Sequence, residues 1–219
     1  MKNNIGLLFD MDGVIVDNHE YHFLSWQKLA KKHDIQITEE FYRTKMNGRT
    51  FSGIIEVVFN DSVPIELAQQ IAYEKERIYR ELYQPHLHPT KGLLSFLESA
   101  RKSNVPMVVG TSAPVENVEF TLDGLNIRHY FKGVIDDRAV TKGKPDPEVY
   151  RKCADLIGIN PTDCIVFEDA ISGIKAGRAA GAKVIALATS HQREELNADL
   201  IVDNFEQIDL NVIQKVLGR

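Results

Sequence analysis

At 219 residues, 43% hydrophobic and 26% charged, the chain has the composition of an ordinary soluble globular protein, with material for one large domain or a domain carrying an insertion. Its formal net charge of −5, with acids and bases interspersed, argues against nucleic acid or an anionic membrane as partner, since both call for a basic face. No apolar run approaches the roughly 20 residues of a bilayer span, and the N-terminus runs straight into a strand, so a cytoplasmic protein without a signal peptide is expected.

The first element is the apolar run Ile5-Gly6-Leu7-Leu8-Phe9, continuous enough for a strand buried on both faces. Asp10-Met11-Asp12-Gly13 follows it. Carboxylates at i and i+2 on an extended segment point to the same side, so one can attack as a nucleophile while the other trades a proton with a leaving group. Gly13 lets the backbone turn away, and the same residue types also make an ordinary turn.

Residues 18–33 show helical periodicity, with Phe23, Trp26, Leu29 and Ala30 on one apolar face. Thr38 supplies N-cap chemistry to a second helix, residues 51–59 carry a third, and Pro64 opens a long one to about residue 83. No strand is expected between residues 17 and 86, which reads as an all-helical insertion placed straight after the first strand.

From Pro89 the pattern becomes alternation. Helices are expected over 93–101, 115–125, 146–157, 171–180 and 205–216, and strands over 105–109, 133–135, 164–167, 183–187 and 200–202. Such alternation builds a parallel sheet covered on both faces with right-handed crossovers. Cys153 and Cys164, the two cysteines, have neither metal-like nor Cys-x-x-Cys spacing and read as reduced packing residues.

In an open parallel sheet the ligand crevice lies outside the carboxyl ends of the strands. Asp10 and Asp12 follow the first strand, Thr111 and Ser112 the second, and Glu168 and Asp169 the run Ile165-Val166-Phe167; the loop Lys142-Gly143-Lys144-Pro145 would present Lys144 on the same rim. Four carboxylates near one point need a counter-charge. A hard divalent cation, Mg²⁺, suits an oxygen site that also takes phosphate oxygens. With Lys144 and the Thr111 hydroxyl as donors to an anion, the set is fit for phosphoryl transfer. Neither GxxxxGK[ST] nor a GxGxxG after the first strand occurs.

Asp10-Met11-Asp12-Gly13-Val14, Gly110-Thr111-Ser112, Gly143-Lys144-Pro145-Asp146-Pro147-Glu148 and the stretch from Phe167-Glu168-Asp169 to Gly177 resemble, in order, the four motifs of the haloacid dehalogenase superfamily. The resemblance implies an α/β fold, a Rossmann-like doubly wound parallel sheet formed by residues 1–16 and 87–219. Residues 17–86 would be an inserted helical cap of the kind found in the beta-phosphoglucomutase and phosphatase branch. It further implies that Asp10 is the phosphorylated nucleophile, Asp12 the general acid/base, and Thr111, Ser112 and Lys144 the phosphoryl-binding groups. Asp10, Asp12 (through its carbonyl) and Asp169 would ligate Mg²⁺, with Glu168 in the same metal set. Dehalogenating members lack the second aspartate, and transporting ATPases carry Lys-Thr-Gly after the nucleophile, so neither chemistry is expected.

Tyr21-His22, Trp26 and Lys75 stand at spacings similar to those of the mutase branch, which implies substrate contacts by His22 and Lys75. The cap loop departs from that branch: where it has a lysine before the glycine and an arginine three residues after, this chain has Asn47 and Phe51, and Arg49 follows Gly48 directly. Arg49 is a further candidate contact to substrate. The expected function is therefore Mg²⁺-dependent hydrolysis of a small phosphorylated metabolite, a sugar phosphate, by a monomer. A beta-phosphoglucomutase-type phosphohexomutase is the alternative. A non-catalytic phosphometabolite-binding protein is the third reading, separable by absence of turnover.

Overall fold

In the computed structural model, residues 4–46, 51–59 and 63–219 are described. Strand β1 is Gly6–Phe9, and all four residues are buried, as a non-alternating apolar run in a parallel sheet requires. Helices α1 (His19–Lys31), α2 (Glu39–Phe41), α3 (Phe51–Phe59) and α4 (Ile65–Tyr83) follow. Thr38 caps α2, its Oγ1 accepting the Phe41 N–H at 3.1 Å, and the chain continues as a π-helical turn, Tyr42–Met46.

The remainder alternates. It comprises α5 (Leu93–Lys102), β2 (Met107–Gly110), α6 (Val115–Gly124), β3 (Val134–Ile135), α7 (Glu148–Ile157), β4 (Cys164–Glu168), α8 (Ile171–Ala180), β5 (Lys183–Leu187), β6 (Leu200–Val202) and α9 (Leu210–Val216). Two expected helices are shorter than their periodicity suggests. The segment from 205 splits into a 3₁₀ turn, Phe205–Gln207, and α9, because the Asp209 carboxylate caps a new start by accepting the Val212 N–H at 2.8 Å. Asp146 likewise stands outside α7 and accepts the Glu148 N–H at 3.0 Å.

The described strands form one parallel sheet in the order β3-β2-β1-β4-β5-β6. The chain therefore starts at the centre, winds outward to β3, then returns to the other side of β1. The reversal lies between β1 and β4, and the crevice at their carboxyl ends is where such folds bind ligands. On one face Leu8, Val108 and Val166 pack with Val149, Tyr150 and Cys153 of α7 and Ile174 of α8. On the other, Phe9 stacks on Phe167 at 4.6 Å, with Phe96 and Phe205 closing the aromatic cluster. Both cysteines are buried and free; burial pushes the Cys164 thiol up to about 12.

Met1–Asp17 with Leu87–Arg219 make one compact unit, and Asn18–His86 make a second. The helical unit has its own core, in which Trp26, Leu29 and Ala30 of α1 meet Ile71 and Ile78 of α4 together with Ile37, Met46, Ile55 and Val58. Among the described residues no helix is long and apolar enough to cross a membrane.

Candidate active site

Register places the central residues. Phe9 pairs with Val109 on one side and Phe167 on the other, so Asp10 lies level with Gly110 and Glu168, one strand spacing of about 4.8 Å from each neighbour. The Asp10 N–H extends the ladder by donating to the Phe167 carbonyl at 2.9 Å. The chain then bends. The amides of Val14, Ile15 and Val16 all point at the Met11 carbonyl, and Gly13 takes a φ of 74°, which L side chains avoid. Asp12 consequently sits on this turn, half-buried, and not on an extension of β1.

Asp10, Glu168 and Asp169 are all buried, and a carboxylate oxygen from each lies within 4.8 Å of the others. This cluster contains three of the four carboxylates expected at one point; the Asp12 carboxylate is outside it. Lys144 faces the cluster, with Nζ 2.9 Å from Asp10 Oδ1 as an ion pair and donating to Glu168 Oε1 at 2.7 Å. Burial would lower the Lys144 ammonium, but Asp10 and Glu168 outweigh it and raise it above the ordinary lysine value. Burial raises the Asp10 carboxyl well above the usual carboxylate range; Lys144 opposes this, and the Glu168 and Asp169 charges add to it. One ammonium among three carboxylates leaves the pocket short of positive charge, and the donors are all hard oxygens. The cluster therefore fits a divalent cation.

Glu168 is held from four directions. Oε1 accepts from Lys144 and from the Tyr150 hydroxyl, each at 2.7 Å, and Oε2 accepts the Asp169 and Ala170 amides at 2.9 and 3.0 Å. Those amides lead into α8, whose N-terminus favours a carboxylate. Gly173 makes the approach possible, since a Cβ there would stand 1.7 Å from Glu168 Oε1. The Lys144 loop is fastened by Glu148, whose Oε2 accepts from the Thr141 amide and hydroxyl and the Lys142 amide at 2.9–3.0 Å. Lys152 Nζ lies 2.6 Å from Glu148 Oε1. These bonds, with Lys152 first, hold the Glu148 carboxyl at about 2.

Thr111 is buried at the end of β2, where its amide donates to the Ile135 carbonyl at 3.0 Å. Its Oγ1 accepts the Ala113 N–H at 3.1 Å, which leaves the hydroxyl hydrogen for another acceptor. Ser112 is exposed beside it. His22 and Lys75 belong to the helical unit and pair with each other. Buried Lys75 donates to His22 Nδ1 at 2.7 Å and to Glu76 Oε1 at 2.9 Å, while the His22 ring stacks on Tyr79 at 4.0 Å. Arg49 lies outside the described residues. Sequence reasoning missed Tyr150, which looks like any apolar-face residue of α7, and gave Gly173 no role because its significance depends on a carboxylate arriving from β4.

The haloacid dehalogenase-like hydrolase family matches residues 7–187. Fructose-1-phosphate phosphatase of Escherichia coli is 35% identical over 180 residues, 80% of this chain and 92% of that protein. Beta-phosphoglucomutase of Bacillus subtilis is 29% identical over 217 residues, 95% of this chain and 93% of that one. A solved HAD hydrolase of family IA, variant 3, from Entamoeba histolytica is similar with a TM-score of 0.92 at 28% identity, covering 98% of this chain and all of that one.

Proposed function

The chain belongs to the haloacid dehalogenase-like hydrolases, and from that premise we propose that it hydrolyses a small phosphorylated metabolite, a sugar phosphate, with Mg²⁺ and through an aspartyl-phosphate on Asp10. The observation that carries this reading is the Lys144 ammonium facing Asp10 and Glu168 at 2.9 and 2.7 Å, beside three buried carboxylates at the crevice.

Asp10 attacks phosphorus, and the bond to the leaving alkoxide breaks as Asp12 delivers its proton. Asp12, now ionised, takes a proton from the water that opens the acyl-phosphate; phosphate leaves and Asp10 is restored. Lys144 and the Thr111 hydroxyl hold the phosphoryl oxygens in both steps, with Ser112 beside them. Bound Mg²⁺ supplies positive charge that neutralises the phosphoryl group and keeps Asp10 ionised. Asp10, the Asp12 carbonyl and Asp169 would hold it. Glu168, whose acceptor sites are filled by protein donors, acts through its charge and by aiming Lys144. The helical unit is assigned the role of cap, with His22, Lys75 and Arg49 as its substrate contacts.

A beta-phosphoglucomutase-type mutase is the second reading, favoured by the 95% coverage of this chain in its match to the Bacillus subtilis enzyme. The same chemistry then ends on a sugar hydroxyl in place of water. A screen of phosphorylated sugars, following phosphate release and isomerisation together, separates the two. Hydrolysis predicts stoichiometric free phosphate that a sugar bisphosphate does not divert. Isomerisation of glucose 1-phosphate outpacing phosphate release would replace the hydrolase reading by the mutase one.

A further inference from the structure

Beyond β5 the chain makes an irregular turn, residues 188–192, before a 3₁₀ segment at Arg193–Glu195. Two consecutive hydroxyls on this turn are bonded to the two chain segments that carry the acidic site. Thr189 Oγ1 donates to the Gly13 carbonyl at 2.7 Å, across 176 positions of sequence. Ser190 Oγ lies 2.9 Å from the Asp169 carbonyl, 21 positions away. In the sheet order β5 is separated from β1 by β4, so β5 runs about 10 Å from β1. The turn must therefore reach past the end of β4 to touch both segments.

The donor count makes the Ser190 contact directional. A carbonyl only accepts, so the single Ser190 hydroxyl hydrogen goes to Asp169. Ser190 Oγ also lies 2.8 Å from His191 Nδ1. With its hydrogen committed, the hydroxyl accepts there, and the network assigns a hydrogen to Nδ1. His191 thus holds the serine in its donating orientation.

Gly13 adjoins Asp12, and its φ of 74° shapes the turn that carries it; Asp169 contributes a carboxylate to the buried cluster. We propose that Thr189 and Ser190 are positioning residues for the metal pocket, two side-chain clips that fix the Asp12–Gly13 segment and the Asp169 backbone relative to one another, with His191 orienting the second clip. The inference rests on the Mg²⁺-dependent reading above. It deepens that reading by naming groups outside the proposed ligand set.

The test is calorimetric titration of Mg²⁺ into metal-stripped wild type, Thr189→Val, Ser190→Ala, and the hydroxyl-keeping Thr189→Ser and Ser190→Thr, with thermal melts in EDTA to verify folding. Loss of a group that orients a metal ligand commonly weakens metal binding 10–100-fold. Thr189→Val and Ser190→Ala should each bind Mg²⁺ about 10-fold more weakly, and Thr189→Ser and Ser190→Thr should recover most of the affinity. The Mg²⁺ concentration for half-maximal turnover of p-nitrophenyl phosphate should rise in parallel. Wild-type Mg²⁺ affinity in both hydroxyl-free variants overturns this inference alone and leaves the proposed function standing. Absence of Mg²⁺ binding by wild type overturns both.

Discussion

Asp10 carries a conflict that substitution exposes. Burial first, and then the Glu168 and Asp169 charges, push its carboxyl well above the ordinary range despite Lys144. Burial therefore penalises the ionised form that the proposed chemistry needs. Asp10→Asn is nearly isosteric and uncharged. It should melt no lower than wild type in EDTA while losing all but a trace of phosphatase activity, because an amide cannot form the acyl-phosphate. A large fall in melting temperature would mean that the Lys144–Asp10 pair outweighs the repulsion; retained activity would remove Asp10 as nucleophile. Tyr150 makes the opposite case. Burial, and then the Glu168 charge, raise its phenol well above the usual value, so it remains a donor at neutral pH. Tyr150→Phe leaves buried Glu168 one donor short, at a cost of about 1.5–3 kcal/mol. Urea unfolding should read that loss, and turnover should fall with it.

At the scale of elements, Gly173 sets two effects against each other. Alanine would add about 1 kcal/mol of helix propensity to α8. Its Cβ, however, would stand 1.7 Å from Glu168 Oε1, in place of the carboxylate that Lys144 and Tyr150 bond. Displacing a buried charge and overpacking its site each cost about 1–3 kcal/mol, so Gly173→Ala should destabilise by about 1–5 kcal/mol net and lose activity. A stabilised, active variant would refute the cradle.

The same element shows what sequence could and could not convey. Strands β1 and β4 are apolar runs that no helix period explains, and their carboxyl-end residues Asp10, Glu168 and Asp169 were legible as a site once the sheet was read as parallel. Local competition hid the rest. Asp209 interrupts apolar periodicity with a cap, Asp146 bonds the Glu148 amide from outside α7, and the bend at Met11 takes Asp12 off the strand. Tyr150, Thr189 and Ser190 matter only through partners that the fold brings from 18, 176 and 21 positions away.

For the whole molecule, the consequence of doubly wound topology is that the acidic cluster is built from two distant parts of the sheet unit's sequence, residue 10 and residues 168–169. A cation bound there is bound by the folded sheet unit and not by the unfolded chain. Binding linkage then gives about 2.7 kcal/mol of stabilisation when free Mg²⁺ is 100 times its dissociation constant. In a chain of 219 residues each kcal/mol moves the midpoint by about 2–4 °C, so scanning calorimetry should show a rise of about 5–10 °C. Trp26, the single tryptophan, lies in the helical unit's core, so its fluorescence reports a part of the molecule without the cluster. The calorimetric transition of the sheet unit should consequently move at least as far as the fluorescence transition. Asp169→Asn removes a proposed ligand. It should therefore lose most of the Mg²⁺-induced rise seen in wild type. A wild-type midpoint unmoved by Mg²⁺ would refute the cation site, whatever the activity assays show.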